Sequence, residues 1–387
     1  MIEIDYQKCT GCGACVQTCL ISCIEWETKE LGFQYPIVNK EKCINCGNCV
    51  NVCPINISSR VSSHRRAYAV VNRNKEVLYN STSGGMFSAL AHYTLKNNGV
   101  VYGCSMEPGF IVRHIRVDNE QDLDKLRGSK YVQSDTSDTF IKVIDDLNNG
   151  KLVLYTGTPC QIAGLKAVIK KQYDNLITAD VICHGVGSQL YFNRFLDALE
   201  KREGKLLSLR FRSKKYVGWS CGGELLSENG KNRPFYNSNN YYYHYFLNGD
   251  IYRQSCYICR YANIDREGDF TLGDFWGIEK LKTDLNTYDG CSLVIVNNKK
   301  ALNVFSQLGD IEFCEVNLET AIMFNEQLSK PSQYKESRLL RQNEYERLTG
   351  PEIEELYFKA NKKVLIKGLI KRMIPYSVRR RIRNFTH

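Results

Sequence analysis

Cysteine spacing carries the first chemistry of this chain. "CTGCGACVQTC" runs from Cys9 to Cys19 and "CINCGNCVNVC" from Cys43 to Cys53, each spaced C-x2-C-x2-C-x3-C. Three thiolates on one tight loop cap three irons of a cubane; the fourth, three residues on, points away and serves a partner cluster. With two runs the ligands cross over. Cys9, Cys12, Cys15 and Cys53 would hold one 4Fe-4S cluster, and Cys43, Cys46, Cys49 and Cys19 the other. Gly11, Gly13 and Gly47 suit turns that aim backbone N–H groups at the sulfurs. Structural zinc also uses C-x2-C pairs, but it gives no reason for the x3 spacing to occur twice. Pro54 follows the second run and Leu20 the first, a difference in packing rather than in ligands. Cys23 is surplus and is expected as a small buried hydrophobe.

Four further cysteines stand apart from these runs. Cys160, in "GTPCQIAGLK", lies where a predicted strand gives way to a helix, and Cys183, in "VICHG", ends the next predicted strand. Ligands gather at the carboxyl ends of parallel strands, and neighbouring strands would bring these two thiols together. "CYIC" adds Cys256 and Cys259, completing four thiolates for a third 4Fe-4S cluster. A structural zinc at the same residues, or unrelated packing cysteines, are the alternatives. Cys104, Cys221, Cys291 and Cys314 lack partners at ligand spacing and default to packing.

A different chemistry is suggested by "STSGGMFSAL". Ser83, Gly84 and Gly85 stand at the mouth of a predicted helix, where free N–H groups and the helix dipole suit a phosphate or pyrophosphate. Ser and Gly in that place also make an ordinary cap. His184, beside Cys183, can give up a proton near neutrality or serve as a hydrogen-bonded structural residue.

The elements that must position these groups fall into distinct textures. Residues 1–58 are cysteine-dense, and the segment from Lys42 to Pro54 echoes that from Lys8 to Leu20. "SRVSSHRR" (59–66) has the polarity of a linker. Beyond it, "AYAVVN", "VVYGCSM", "FIVRHIRV", "KLVLYTG", "LITADVICHG" and "SLVIVNN" are expected strands. "GGMFSALAHYTLKNNG", "CQIAGLKAVIKKQY" and "QLYFNRFLDALEKREG" are expected helices. Their alternation predicts an α/β layer with parallel pairings. The stretch 215–260, rich in Tyr, Asn and Trp, gives no clear pattern.

Composition bounds the function. A chain of 387 residues predicts two or three domains. Seventeen cysteines in so long a chain, with no secretory signal in "MIEIDYQKC", point to metal or redox chemistry in the cytoplasm rather than to disulfides. Exposed cluster thiolates oxidise easily, which suits an anaerobic or microaerobic host. Ten basic residues and no acidic one lie between Phe358 and His387, which accounts for the net charge of +10. The body is therefore near neutral and no nucleic-acid binder by charge. The tail, apolar and basic and broken at Pro375, suits either a peripheral contact with the inner face of the membrane or a helix docked on the body.

The motifs "SGGMFSAL", "LRGSKYVQSD", "GTPCQIAGLK", "CHGV", "RFRSKKYVGWS" and "CYICRYANIDREGDFTLGDFWG" together give the chain a family likeness. It resembles the coenzyme F-420 hydrogenase/dehydrogenase beta-subunit family, in the form with an N-terminal ferredoxin domain. The resemblance spans most of residues 1 to 330 and fades in the last fifty or so. It implies an α+β or α/β protein: a bacterial-type two-cluster ferredoxin domain (1–58) followed by a mixed α/β flavin-binding body. That body would divide into 67–148, with much of the flavin site, and 149–330, with the third cluster; 331–387 would be a helical basic tail. It also implies FAD, with Ser83, Gly84 and Gly85 near its phosphates and Gly128, Ser129 and Lys130 as a second candidate loop. Lys130 would pair with a phosphate or sit beside the flavin N1/C2 carbonyl; otherwise it is a solvated lysine after a helix. Asp274 would orient the flavin or receive a proton, or merely cap a turn. The function implied is an oxidoreductase that moves electrons between a ferredoxin-like one-electron carrier and an unidentified two-electron organic acceptor. Relatives in polysaccharide biosynthesis belong to the same likeness. A non-catalytic subunit that relays electrons to a partner oxidoreductase is the other expectation.

Overall fold

The computed structural model describes residues 2–57, 65–374 and 378. Most of the expected linker, 59–64, and the expected break at Pro375 lie outside them. In the cysteine-dense region, β1 (Ile24–Thr28) and β2 (Gln34–Val38) pair antiparallel, with Ile24 opposite Val38. Two single-turn helices, Ala14–Gln17 and Asn48–Asn51, repeat the sequence echo in space. Each begins on a left-handed glycine, Gly13 with φ 82° and Gly47 with φ 78°, a conformation that a Cβ strains.

The body is built on an eight-stranded sheet. Its strands are β3 (Arg66–Asn72), β4 (Val100–Glu107), β5 (Ile111–Val117), β6 (Val153–Gly157), β7 (Leu176–Val181), β11 (Phe270–Asp274), β12 (Ser292–Val296) and β13 (Ile311–Val316). Between β7 and β11 the chain makes a separate antiparallel sheet of β8 (Leu206–Arg210), β9 (Gly222–Ser227) and β10 (Asn232–Tyr236). The large sheet runs β13-β3-β12-β11-β7-β6-β4-β5. Parallel pairing holds only along β4-β6-β7-β11, and the rest is antiparallel. A parallel step needs a crossover, usually a helix. Between β11 and β12 there is only the short 3-10 turn Ile278–Lys280, and β4 turns into β5 at Pro108–Phe110. The chain reverses at both places, so the sheet is mixed: the expected parallel pairings hold along β4-β6-β7-β11, and antiparallel strands flank them.

Helix Pro159–Ile169 opens with Pro159 behind a Thr158–Gln161 capping box and closes at Lys170, whose φ is 64°. It stops short of the expected end at Tyr173. β12 is buried along its whole length, as a strand covered on both faces must be. The aromatic stretch 215–260 resolves into the β9–β10 hairpin and helix Tyr241–Asn248. Tyr241 and Tyr242 of that helix pack against Tyr191, Phe192 and Phe195 of helix Gln189–Glu203. Three helices follow at the C-terminus: Ser337–Arg347, Gly350–Ala360 and Lys362–Met373. Among the described residues no helix is long and apolar enough to cross a membrane.

Candidate iron–sulfur and cofactor site

The two N-terminal thiol sets lie side by side. Burial pushes the Cys12 thiol up to about 12, and the negative charges of Cys160, Cys9 and Cys53 would add to that rise. Burial likewise raises Cys15, with Cys12, Cys9 and Cys53 as neighbours. Cys9, Cys12, Cys15 and Cys53 recur together as neighbours, with Cys160 also beside Cys12 and Cys49 beside Cys15. On the other side, Cys19 Sγ lies 3.4 Å from Cys23 Sγ and accepts the Cys23 N–H at 3.3 Å. Cys23 also faces Cys43, so the surplus cysteine is buried but is not mere filling. Cys46, by contrast, is exposed.

The third thiol set is assembled from distant segments. β6 and β7 are parallel neighbours, with Gly157 opposite Asp180. Cys160 is the second residue of the helix after β6, its Sγ 3.1 Å from the Thr158 hydroxyl, and Cys183 follows β7. Cys256 and Cys259 come in on the loop before β11. A buried ion pair fixes that loop: Arg266 donates to Asp180 at 2.8 Å, to the Tyr261 carbonyl at 2.8 Å and to the Val181 carbonyl at 3.0 Å. Asp180 in turn accepts the Gly268 N–H at 2.7 Å. Burial raises Cys183 well above its ordinary range, with Cys256, Cys160 and Cys259 as the charges that would add to it. It pushes Cys160 up to about 11 and Cys256 up to about 12. Four neutral thiols crowded in this way are costly to ionise alone, and cationic iron removes that cost. Among the described residues no three His, Cys, Asp or Glu side chains converge as ligands of a single metal ion. A cubane asks for a wider arrangement, with each thiolate bonded to a different iron.

Cys12 is also the seam between regions. A Cβ on Gly164, in the helix begun by Pro159, would lie 3.1 Å from Cys12 Sγ. Arg253, fully buried, donates to the Cys9 carbonyl at 2.8 Å and the Gln34 carbonyl at 2.9 Å and lies 4.0 Å over the Tyr35 ring. Gln133 donates to the Thr10 carbonyl at 2.9 Å and accepts from Arg253 at 3.1 Å. Thr136 donates to the Cys12 carbonyl at 3.0 Å.

A cavity of about 510 Å³ opens beside the third thiol set, within the ~300–1,000 Å³ of cofactor pockets. Cys160, Cys183, Cys256 and Cys259 all line it, as do Ser83, Gly85, Gly128, Ser129, Lys130, His184 and Asp274. The two candidate loops meet there: the Ser129 N–H donates to the Thr82 hydroxyl at 3.2 Å. Gly85 caps helix Met86–Lys96 at φ 88°. Gly84 is not in the lining. Its N–H donates to Ser292 at 2.9 Å, and a Cβ there would strike the Val70 carbonyl, so it is a packing glycine. The Ser83 hydroxyl is likewise spent, donating to the Cys291 carbonyl at 2.7 Å. Lys130 donates to the carbonyls of Arg127 at 2.7 Å and Lys125 at 3.0 Å, and loss of hydration lowers its pKa to about 8. His184 stands at the rim of the cavity, and the desolvation of its ring there lowers its pKa.

Asp274 holds two neighbours. One oxygen accepts from Arg212 at 3.0 Å and the other from Trp219 at 2.8 Å. Trp219 stacks on Trp276 at 5.1 Å, and Arg212 lies over Trp276 at 5.6 Å. Arg212 and His114 were not singled out as site residues by sequence. His114 is buried in the cavity wall; burial lowers its pKa to about 4, and its Nε2 donates to the Thr156 carbonyl at 2.9 Å. Their only signal was place: Arg212 in "RFRSKKYVGWS" and His114 at alternating register in a strand.

Fold and site define a class: an iron–sulfur protein in which a two-cluster ferredoxin region is fused to a mixed α/β domain with a thiol-lined cavity. The comparisons agree. Residues 8–57, and overlapping them residues 35–83, match the 4Fe-4S dicluster domain. Residues 150–320 match the family of the C-terminal domain of the coenzyme F420 hydrogenase/dehydrogenase beta subunit. The chain thus carries the C-terminal domain of that beta-subunit family behind a 4Fe-4S dicluster domain. No curated protein matches the chain. Among solved structures it is similar to a chain from "Xenon derivatization of the F420-reducing [NiFe] hydrogenase complex from Methanosarcina barkeri". Identity is 16%, coverage is 79% of this chain and 94% of that one, and the TM-score is 0.44.

Proposed function

We propose that the chain is an iron–sulfur flavoprotein oxidoreductase that moves electrons between a ferredoxin-like carrier or partner oxidoreductase and a two-electron organic acceptor. The observation that carries this is the shared wall. Cys160, Cys183, Cys256 and Cys259 line one cavity with Gly85, Gly128, Ser129 and Lys130, and Cys12 packs on the helix that carries Cys160. The donor set fits a third 4Fe-4S cluster, and the cavity size fits a flavin. Bound FAD would take electrons singly and pass them in pairs. The chain's own residues have simpler work. Ser83 and Gly85 border the phosphate end; Gly84 supports that loop from behind. Lys130, titrating near 8, offers a proton or a positive charge to the reduced ring. His184 is a proton donor at the rim, and Asp274 orients Arg212.

The same reading divides the chain at 1–58, 67–148, 149–330 and 331–387. Contact with an anionic membrane surface is supported by helix Lys362–Met373, which exposes Ile366, Leu369, Ile370 and Met373. Co-sedimentation with anionic vesicles, lost in a chain ending at Tyr357, tests it.

The central experiment is anaerobic purification, followed by iron analysis and acid release of flavin. About twelve irons per chain, roughly four per cubane, with FAD released, supports the proposal. Full clusters without flavin would favour a relay subunit that serves a docked partner.

A further inference from the structure

A second cavity of about 330 Å³ adjoins the first, and Ser81, Thr82 and Arg212 line both. Its wall carries four basic residues, Arg210, Arg212, Lys214 and Lys215, and one carboxylate, Glu224; just outside it Asp124 pairs with Arg210 at 3.2 Å and Asp274 with Arg212 at 3.0 Å. Two of the cations are held inward. Lys214 is buried and donates to the carbonyls of Ser83 and Leu78, which bring no negative charge. Arg212 is 8% exposed, and one of its nitrogens is committed to Asp274 at 3.0 Å and the Tyr131 hydroxyl at 3.3 Å. Its other terminal nitrogen, Nη2, is buried with no hydrogen-bond partner. A guanidinium donor left unpaired at such depth is a standing demand for an acceptor. Asp274 and Trp276 hold the plane of that guanidinium.

We infer that this annex binds a phosphate group of the organic acceptor, with Arg212 as its inner anchor and Arg210 and Lys215 at the rim. Phosphate is favoured because it accepts from several cations and hydroxyls at once, and Ser81, Thr82, Ser213 and Ser220 add hydroxyls to the wall. The throat at Arg212 leaves the rest of the acceptor in the main cavity, facing the thiol-lined wall. The identity of the ligand as acceptor rests on the oxidoreductase reading above; the anion site itself does not.

The test is calorimetric titration of the anaerobic full chain with inorganic pyrophosphate, with flavin and iron measured on the same sample. Saturable binding to one site per chain is expected. Arg212→Gln should weaken it by about tenfold or more, as loss of a hydrogen bond to a charged group does. Arg210→Gln and Lys215→Gln, at exposed positions, should each weaken it by about two- to fivefold, while the remote Lys142→Gln does not. Should Arg212→Gln not fold, the two rim variants decide. Absence of saturable binding, or binding indifferent to the rim variants, overturns the site. If the rim variants release flavin as they lose pyrophosphate, the annex holds the phosphates of FAD and the acceptor assignment fails. A wild-type chain that binds pyrophosphate but contains no flavin defeats the oxidoreductase reading and leaves the anion site standing.

Discussion

In the N-terminal region, Cys9 and Cys12 sit on one loop and Cys15 in the single-turn helix that follows it, spaced by the left-handed glycines Gly11 and Gly13. In the body, Cys160, Cys183, Cys256 and Cys259 reach one wall from the ends of β6 and β7 and from a loop before β11. The first arrangement is held by backbone conformation and the second by tertiary structure. The difference predicts where each fails: local sets fail at their ligands, and assembled sets fail at the distant contacts that bring the segments together.

The largest effect should come from a residue that touches no iron. Asp180→Ala leaves Arg266 charged and buried, at a cost of about 3–5 kcal/mol. Thermal unfolding of the body should fall steeply, and the iron of the third set should go while that of the N-terminal runs stays. Equal loss from all sets would erase the distinction between local and assembled sites. Ligand replacement comes next. Cys256→Ala and Cys12→Ala should each remove roughly four of about twelve irons, from different clusters distinguishable by their paramagnetic spectra. An unchanged iron count for Cys256→Ala would return that cysteine to a packing role. A smaller effect is expected at the seam. Gln133→Ala removes the donor to Thr10 and one partner of Arg253, at about 1–3 kcal/mol, and limited proteolysis should then release the N-terminal region faster. Smallest is Thr158→Ala, which deletes the capping box at about 1 kcal/mol; denaturant titration should register it with the iron content intact.

The same contrast explains what the sequence made legible. Runs whose ligands are neighbours announce themselves by spacing. The meeting of Cys160 and Cys183 was also legible, because each follows a strand and β6 and β7 lie side by side. Arg212 was not, since its meaning depends on Asp274, Tyr131 and Trp276, which reach it only through the fold. Gly84 shows the opposite failure: a glycine at a helix mouth suggested a phosphate, but the tight approach of the Val70 carbonyl is what requires it. The strand β11 hid in "FTLGD" because its glycine and aspartate break the apolar pattern where the chain reaches the cavity. β13 hid because it alternates with glutamates at the sheet edge.

The buried Arg253 has a kinetic consequence. Its guanidinium joins the Cys9 and Gln34 carbonyls to the loop that carries Cys256, and Gln133 and Thr136 tie down the neighbouring turns. A carrier on a loose hinge would have to swing between its source and its sink, and the turnover rate would report that swing. Here the N-terminal region is bolted in place, with the exposed Cys46 as its outermost thiol. On the oxidoreductase reading proposed above, throughput should be set by how often an external electron carrier meets that end, and should respond to carrier concentration and ionic strength more than to solvent viscosity.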